Sequence, residues 1–160
     1  MHLALNRHVP RQVVDPEMDF GELWAQFDML LMGRRTFEAA VARLGASTMQ
    51  NKKVVVASRT LRPEDHPEIT TVSELTKSET QKLRQQDQKD IWMMGGGELF
   101  RVLLEMKEVD SVEVSIVLVL LGAGISLLPR ADLRTALKLT RHKVYRSGVV
   151  SLDYEIQVTS

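Results

Sequence analysis

The sequence of 160 residues contains no cysteine. This absence excludes disulfide bonds, zinc sites built from thiolates and a cysteine nucleophile. A surplus of basic residues is also missing, since 21 lysines and arginines balance 21 aspartates and glutamates. General nucleic-acid-binding proteins normally carry such a surplus, so we expect no nucleic-acid partner. Local clusters of arginine can still bind small anions.

Long apolar segments are missing as well. The longest apolar stretch, IVLVLLGAGISLLP from Ile116, is too short and too interrupted to cross a bilayer. The first residues, MHLALNRHVPRQ, have neither a long apolar core nor a small-residue cleavage site. We therefore expect a cytoplasmic protein with no membrane partner. The length suits a single domain, residues 1–160.

Short apolar runs alternate with helical patterns along the chain. The runs DMLLM (28–32), KKVVVAS (52–58) and DIWMM (90–94) are largely apolar at consecutive positions. This pattern is typical of strands that are buried on both faces of a parallel sheet. Helical periodicity follows in RRTFEAAVARL (34–44) and ELFRVLLEMKE (98–108).

The C-terminal region has a different period. Apolar and polar side chains alternate from Val150 to Val158, which indicates a half-exposed antiparallel strand. The sequence RSG (146–148) predicts a turn between this strand and a preceding one near residues 137–145. Together the patterns predict an α/β fold with a mostly parallel central sheet, flanking helices and a C-terminal antiparallel hairpin.

The segment IWMMGGGELF (91–100) joins an apolar run to three glycines and then to a predicted helix. A helix N-terminus has unpaired N–H groups and a partial positive charge, and glycine lets a phosphate approach without meeting a Cβ atom. Gly95, Gly96 and Gly97 therefore predict a pyrophosphate site. The G-x-G-x-x-G and Walker A signatures are absent, because Phe100 replaces the last glycine and no Gly-Lys-Ser/Thr follows. A tight turn without a ligand is the alternative.

A second strand end carries cationic side chains. In LLMGRRTFEAA, Gly33 is followed by Arg34, Arg35 and Thr36 at the start of a predicted helix. Two guanidinium groups are unfavourable beside the positive end of a helix dipole, unless an anion lies between them. The pattern indicates an anion site, and the alternative is a pair of solvated arginines.

A third strand, VVVASRT (54–60), ends in Ser58 and Arg59. Ligands of open α/β sheets bind at the carboxyl ends of the strands. Arginines and a serine around one anion, with glycines for a second anion, fit NADP, which carries a 2′-phosphate and a pyrophosphate. NADPH is therefore the predicted cofactor.

These motifs, in this order, resemble the dihydrofolate reductase superfamily, and in particular the branch that contains the reductase domain of riboflavin-biosynthesis proteins. LLMGRRTFEAA is similar to the family's M-G-R-x-T-[FWY]-E, and VVVASRTL to its strand ending in Ser-Arg. IWMMGGGELFRVLLE is similar to I-x-x-x-G-G-[GS]-x-[LVI]. The later segments VDSVEVSIVLVLLGAGISLLP and SGVVSLDYEI also have counterparts, so the likeness covers roughly residues 20 to 158.

The resemblance implies a dihydrofolate reductase-like fold and an NADPH-dependent reductase. Its substrate would be a small heterocycle, either a pteridine such as dihydrofolate or a ribosylaminopyrimidine of riboflavin biosynthesis. The resemblance places Ser58 and Arg59 at the 2′-phosphate and Thr60 and Leu61 near the adenine. The remaining implied cofactor contacts are Gly33, Arg34, Arg35, Thr36, Gly95, Gly96, Gly97, Glu98 and Leu99.

The first twenty residues depart from the family pattern. Family members begin with a long central strand followed, in this branch, by Ser-Leu-Asp-Gly, whereas here only HLALN (2–6) can form the strand. The family places one carboxylate on its first helix as the proton donor. The family spacing, counted back from Gly33, puts Glu17 nearest to this position and Asp19 second. Acidic residues in such loops also serve as helix caps, so both interpretations stay open.

Three further expectations concern partners. No two of the four histidines have the spacing of a helical metal site, so we expect no metal. The apolar run VSIVLVLL (114–121) is a candidate for a subunit interface, which favours a homodimer. Two alternatives to a reductase remain: a catalytically silent NADP-binding module of the same fold, and an oligomeric scaffold without a ligand.

Overall fold

The computed structural model describes residues 2–5, 17, 19–45, 49, 51–86, 89–120, 122–129 and 134–157. The strands in these ranges are β1 (His2–Leu5), β2 (Phe27–Gly33), β3 (Lys53–Ala57), β4 (Thr70–Val72), β5 (Asp90–Met93), β6 (Ser111–Ile116), β7 (Ala136–Val144) and β8 (Val150–Gln157). The α-helices are α1 (Phe20–Ala25), α2 (Arg34–Leu44), α3 (Lys77–Gln86) and α4 (Gly97–Glu105). None of the helices in these ranges combines the length and the apolar character that crossing a membrane requires.

The strands form one sheet in the order β4-β3-β2-β5-β1-β6-β8-β7. All neighbouring pairs from β4 to β6 are parallel, whereas β8 is antiparallel to both β6 and β7. We call β4, β3, β2, β5 and β1 the parallel part, and β6, β8 and β7 the antiparallel part. The predicted α/β architecture, with a C-terminal antiparallel hairpin, is confirmed. The extent of the domain, residues 1–160, stays a prediction.

The first strand is short but lies in the middle of the sheet. β1 pairs with β5 on one side, where His2 is opposite Trp92, and with β6 on the other, where Leu5 is opposite Val114. The N-terminal segment therefore occupies the central position that the resemblance assigns to it. Asn6, the last residue of the predicted strand, lies outside the described residues.

Helices cover both faces of the parallel part. On β2, Met29 and Leu31 belong to one apolar cluster, which includes side chains of α3 and α4. Leu30 and Met32 belong to a second cluster, which includes Phe37 of α2. Because successive side chains of a strand point to opposite faces, a strand buried on both sides needs apolar residues at every position. This requirement explains the consecutive apolar runs in the sequence.

The antiparallel part has one polar face. Its cross-strand partners carry opposite charges, as in the pairs of Arg141 with Asp153 and of Lys138 with Glu155. Arg141 accordingly has a raised pKa, first because its guanidinium donates a hydrogen bond to Asp153 and then because of the negative charge of that carboxylate. Such pairs suit a face that lies in water.

The other face of the antiparallel part lies on the same side of the sheet as α3 and α4. Ile116, Leu137, Leu139 and Val144 point to this side and are 49%, 46%, 48% and 66% exposed. We call the surface formed by these four residues the open face. These four side chains are apolar, although the exposed His142 lies on the same side between Leu139 and Val144, and the described helices leave the four about half exposed.

Candidate functional site

The three strand ends singled out in the sequence lie next to one another. β3, β2 and β5 are consecutive in the sheet. Gly33, the last residue of β2, is opposite Ala57, the last residue of β3, and Leu31 is opposite Met93 of β5. The chain therefore leaves all three strands along one edge of the sheet, and the three predicted anion-binding segments come together there.

Two helices begin at this edge without side-chain caps. Gly33 is the N-cap of α2 and Gly96 is the N-cap of α4, and neither can supply a capping side chain. A Cβ atom built on Gly96 would lie 3.8 Å from the hydroxyl oxygen of Thr36, so the two helix starts are in close proximity. The first N–H groups of a helix lack intrahelical partners and carry partial positive charge. Two such ends side by side form a suitable seat for a diphosphate.

Open space borders the glycines of this edge. A Cβ atom built on Gly33 or on Gly95 would meet no described atom within 4 Å. Gly95 and Gly96 also have φ angles of +108° and +103°, which L-residues rarely adopt. Gly33 has an ordinary φ of −81°. Its lack of a side chain is therefore not required by the backbone, and no described atom lies in the space where a side chain would point.

The third glycine of the triplet, Gly97, is required for a different reason. A Cβ atom on Gly97 would lie 2.9 Å from Cδ of Pro129 and 3.1 Å from the carbonyl oxygen of Leu127. The segment 127–129 therefore packs directly on the first residue of α4. This contact with the protein itself requires glycine, whereas a role of Gly97 in cofactor binding stays a prediction.

The two arginines at the start of α2 differ in their surroundings. Nη1 of Arg34 donates a hydrogen bond to Oε1 of Glu38 over 2.9 Å, in an exposed pair within the helix. Such a pair contributes about 0.3–0.5 kcal/mol and is easily exchanged. Arg35 is exposed and has no ion-pair or hydrogen-bond partner among the residues that the structure describes. Within the described ranges, Arg35 can therefore meet an anion without giving up a partner, whereas Arg34 would first have to leave Glu38.

Ser58 organises the turn that follows β3. Its Oγ accepts hydrogen bonds from the backbone N–H groups of Thr60 (3.2 Å) and Leu61 (3.0 Å). The hydroxyl oxygen thus accepts two hydrogen bonds, and its own O–H group can still donate one. The N–H groups of Thr60 and Leu61 are correspondingly engaged. Arg59 next to them is exposed and, within the described ranges, has no charged partner.

The remaining predicted cofactor residues lie in the first turn of α4. The side chain of Glu98 pairs with Arg101, with 3.2 Å between Oε2 and Nε. Glu105 first and Glu98 second raise the pKa of Arg101 by accepting its hydrogen bonds. Leu99 packs against the apolar cluster under α4. Because both side chains are engaged, their backbone N–H groups are what these residues can offer a ligand.

The two candidate acids have structural partners. Asp19 is the N-cap of α1, and its Oδ1 accepts a hydrogen bond of 2.8 Å from the N–H of Glu22. Oε1 of Glu17 lies 3.1 Å from Nε of Arg146, and Arg146 belongs to the turn between β7 and β8. The capping interpretation therefore accounts for Asp19, while the catalytic role of either acid stays a prediction.

Sequence reasoning missed two contacts around this edge. These are the packing of segment 127–129 on Gly97 and the ion pair of Glu17 with Arg146. Each contact joins residues that are far apart in the chain, so no local spacing in the sequence predicts it. No group of three or more His, Asp or Glu side chains suited to a metal was found within the described ranges. The absence of a metal site stays a prediction.

Comparison with known proteins gives consistent matches. The family model described as RibD C-terminal domain matches residues 4–151. The uncharacterised Bacillus subtilis proteins YyaP and YwjB are 29% and 24% identical, over 93% and 81% of this chain and 85% and 75% of their own. A putative riboflavin biosynthesis protein from Shewanella sp. PV-4 has a TM-score of 0.75 at 18% identity, covering 92% of this chain and 85% of its own. A pyrimidine reductase-like protein from Corynebacterium diphtheriae has a TM-score of 0.67 at 14% identity, covering 99% and 91%. These two structures share the fold.

Proposed function

Because the chain belongs to the RibD C-terminal domain family, as its motifs predicted, we propose that it is a cytoplasmic, NADPH-dependent reductase of a small heterocycle. The substrate class follows from the family resemblance, which includes pteridines such as dihydrofolate and the ribosylaminopyrimidine of riboflavin biosynthesis. The solved relatives are themselves named as a riboflavin biosynthesis protein and as pyrimidine reductase-like. Those names favour the pyrimidine over the pteridine.

The observation that carries the proposal is the meeting of two uncapped helix starts with open space beside Gly33 and Gly95. A dinucleotide needs a seat for its pyrophosphate, and bare N–H groups next to glycines without Cβ atoms provide one. The neighbouring turn after β3 supplies Ser58 and Arg59, and α2 supplies Arg35. A hydroxyl donor and two guanidinium groups without described partners suit a 2′-phosphate, which NADH lacks.

In this proposal the residues of the chain bind and orient, while NADPH, when bound, supplies the hydride. The N–H groups at the starts of α2 and α4 hold the diphosphate. Arg59 and Arg35 would neutralise the 2′-phosphate, and the hydroxyl of Ser58 would donate a hydrogen bond to it. Positioning of this kind contributes to the rate by fixing the reacting groups relative to each other.

The reaction also needs a proton for the substrate, and Glu17 is the first candidate. Its Oε1 lies 3.1 Å from Nε of Arg146, so the carboxylate is engaged in an ion pair. Glu17 would have to leave Arg146 before it could contact a substrate. Asp19 is the second candidate, and it would have to give up its cap on α1.

Thermal-shift and equilibrium titrations with NADPH and NADH test the cofactor assignment. We expect NADPH to bind more tightly than NADH in the wild-type protein. Arg59→Ala and Arg35→Ala should each lower the affinity for NADPH by roughly tenfold or more, since a hydrogen bond to a charged group contributes about 1.5–3 kcal/mol. Their effect on NADH should be small. Arg43→Ala, in the last turn of the same helix α2, is the matched control and should change neither affinity.

Equal affinities for the two cofactors in the wild type would remove the 2′-phosphate assignment. If an arginine variant loses NADPH and NADH affinity to the same extent, that arginine has a structural role instead. Absence of binding to both cofactors would leave an oligomeric scaffold as the remaining hypothesis.

A catalytically silent NADP-binding module is the second candidate, and the state of the two acids favours it. Asp19 caps a helix and Glu17 forms an ion pair, so each has a structural partner. The two hypotheses differ in turnover. NADPH oxidation, followed by its absorbance with dihydrofolate and with the ribosylaminopyrimidine, supports the reductase, whereas NADPH binding without oxidation supports the silent module.

A further inference from the structure

The polar face of the antiparallel part lies on the same side of the sheet as α2. Trp92 of β5 packs in the cluster that includes Phe37 of α2. Across β1, Trp92 is level with Ser111 of β6, because both are opposite His2. Residues opposite one another in neighbouring strands share a face of the sheet, and every second residue of a strand returns to that face. Glu113 of β6 therefore points to the α2 side.

Glu113 also lies near the edge of the sheet at which the cofactor site is proposed. It is opposite Ala4 of β1, one residue beyond Leu3, and Leu3 is opposite Met93, the last residue of β5. The chain leaves β5 just after this level and enters the glycine triplet. Glu113 is thus on the α2 side of the sheet, two strands away from β5.

The order of the strands gives the direction of a bound dinucleotide. Ser58 and Arg59, proposed for the 2′-phosphate, follow β3, and the diphosphate seat follows β2 and β5. The next strands in the sheet are β1 and β6. A dinucleotide extended along these strand ends would have its nicotinamide at β1 and β6. Neighbouring strands are about 4.8 Å apart, so Glu113 lies on the order of 10 Å beyond β5, which a ribose and a nicotinamide ring can span.

Glu113 is held in place from β8. Oγ of Ser151, a residue that is only 7% exposed, donates a hydrogen bond of 3.1 Å to Oε1 of Glu113. Asp153 is directly opposite Glu113 and forms an ion pair with Arg141 of β7. Asp153 first, and Glu113 to a smaller extent, raise the pKa of Arg141, so the three groups form one row across the face. The Ser151 hydroxyl fixes the direction of the Glu113 carboxyl group, whereas a guanidinium engages Asp153.

Stability alone does not explain a glutamate at this point of β6. Two carboxylates directly opposite each other on one face of a sheet are unfavourable, because their charges repel. Arg141 offsets the charge of Asp153 but lies on the far side of it, on β7. Glu17 and Asp19, by comparison, lie before α1 rather than on a strand of the sheet. The position and the orientation of the glutamate on β6 therefore favour a role toward a ligand.

We propose that the carboxyl group of Glu113 is the proton donor of the reductase and contacts the reducible bond of the substrate. This inference rests on the proposed function. Reduction of a C=N or C=O bond adds a hydride to carbon and a proton to nitrogen or oxygen, and the hydride comes from NADPH. The carboxylic acid of Glu113 gives its proton to the nitrogen or oxygen, remains as a carboxylate, and takes a new proton from water before the next turnover.

The test compares Glu113→Gln with Glu155→Gln. The amide oxygen of glutamine can still accept the hydrogen bond from Ser151, but an amide does not give up a proton as a carboxylic acid does. Glu155 is on the same face of β8, opposite Ser111, with a side chain that is 57% exposed, and serves as the matched control. Glu113→Asp keeps an acid at the position on a shorter side chain. NADPH oxidation is followed with dihydrofolate and with the ribosylaminopyrimidine, equilibrium titration gives the NADPH affinity, and urea unfolding gives the stability.

We expect the wild type and Glu155→Gln to oxidise NADPH at the same rate with at least one of the two substrates. Glu113→Gln should lower kcat by about a hundredfold or more, because general acid catalysis contributes roughly 10²–10⁴-fold. Its NADPH affinity and its free energy of unfolding should stay at the wild-type values. Glu113→Asp should recover part of the lost rate, since it restores an acid.

Four other results would count against the proposal. Wild-type turnover by Glu113→Gln would overturn it and leave the proposed function standing, with Glu17 or Asp19 as the acid. A loss of NADPH affinity or of stability that matches the loss of turnover would give Glu113 a structural role instead. A wild type that binds NADPH but oxidises it with neither substrate would be the silent module, in which Glu113 donates no proton. A wild type that does not bind NADPH would contradict the proposed function itself.

Discussion

The parallel and antiparallel parts of the sheet differ in how their apolar side chains are covered. In the parallel part, helices cover both faces, and Leu31 of β2 is fully buried. In the antiparallel part, one face forms ion pairs in water and the other carries Leu139 at 48% exposure. The same residue type therefore has a partner within the chain in one region and lacks full cover in the other.

Because of this difference, the two parts of the sheet suit different kinds of ligand or partner. Helices bury the central strands β2, β3 and β5 of the parallel part, and among the described glycines at their ends, Gly33 and Gly95 have no described atom within 4 Å of a Cβ position. The proposed function places a small ligand there. The antiparallel part offers a broad apolar surface instead, and broad apolar surfaces suit another protein.

The largest expected effect contrasts two leucines. Leu31→Ala removes a fully buried side chain and should lower the free energy of unfolding by about 2–5 kcal/mol. Leu139→Ala should lower it by less than about 0.5 kcal/mol in protein dilute enough to exclude association. Urea unfolding measures both. Similar losses for the two variants would mean that the open face is not open in solution.

The next contrast concerns ion pairs. Arg84 of α3 donates hydrogen bonds to Glu108, whose side chain is only 8% exposed, and to Asp110. Arg84→Ala leaves the Glu108 carboxylate without this partner and should cost about 1.5–3 kcal/mol. Lys138→Ala, which removes an exposed pair with 4.0 Å between the charged atoms, should cost less than about 0.5 kcal/mol. Chemical denaturation at low and high salt checks both values.

Two glycines at the cofactor edge separate backbone strain from ligand contact. Gly95→Ala places a side chain at a φ of +108° and should cost about 1–3 kcal/mol of stability. Gly33→Ala meets an ordinary backbone and empty space, so stability should not change measurably. Both methyl groups enter the space proposed for the cofactor, so both variants should bind NADPH more weakly. Unchanged NADPH binding by Gly33→Ala would place the cofactor elsewhere.

The smallest effect is expected where α4 ends and the chain turns toward the antiparallel part. Lys107 has a φ of 60°, the left-handed conformation that favours glycine after a helix. Lys107→Gly should raise the free energy of unfolding by about 0.5–1 kcal/mol and leave cofactor binding unchanged. A thermal melt detects the gain, and a loss of stability would show that the lysine side chain itself contributes.

The sequence predicted the elements whose patterns are local and strong. The helix RRTFEAAVARL coincides with α2, and the consecutive apolar runs coincide with β2, β3 and β5. Two strands left weaker signals. β4 is only three residues long, Thr70–Val72, and lies at the edge of the sheet. β6 alternates as SVEVSI but runs into the apolar residues of its loop, which hides where the strand ends.

At the candidate site, the meeting of three strand ends was predictable because parallel strands end at the same edge. The contacts of individual residues were only partly predictable from the sequence. The Arg34–Glu38 pair has the i, i+4 spacing of a helix and could have been read from the sequence. The contact of Pro129 with Gly97 could not, since it depends on how a distant loop returns to α4. The sequence around Gly97 therefore does not reveal why a glycine is required at this position.

Position 33 is suited to an introduced cysteine. The backbone of Gly33 is unstrained, no described atom lies within 4 Å of its Cβ position, and the chain has no cysteine of its own. Gly33→Cys would introduce the sole thiol of the molecule at the mouth of the proposed seat. A reagent that forms a mixed disulfide there would close the seat, and a mild reductant would reopen it. Position 33 thus allows the proposed cofactor site to be blocked and reopened reversibly in a single sample, so that NADPH binding can be compared in the two states.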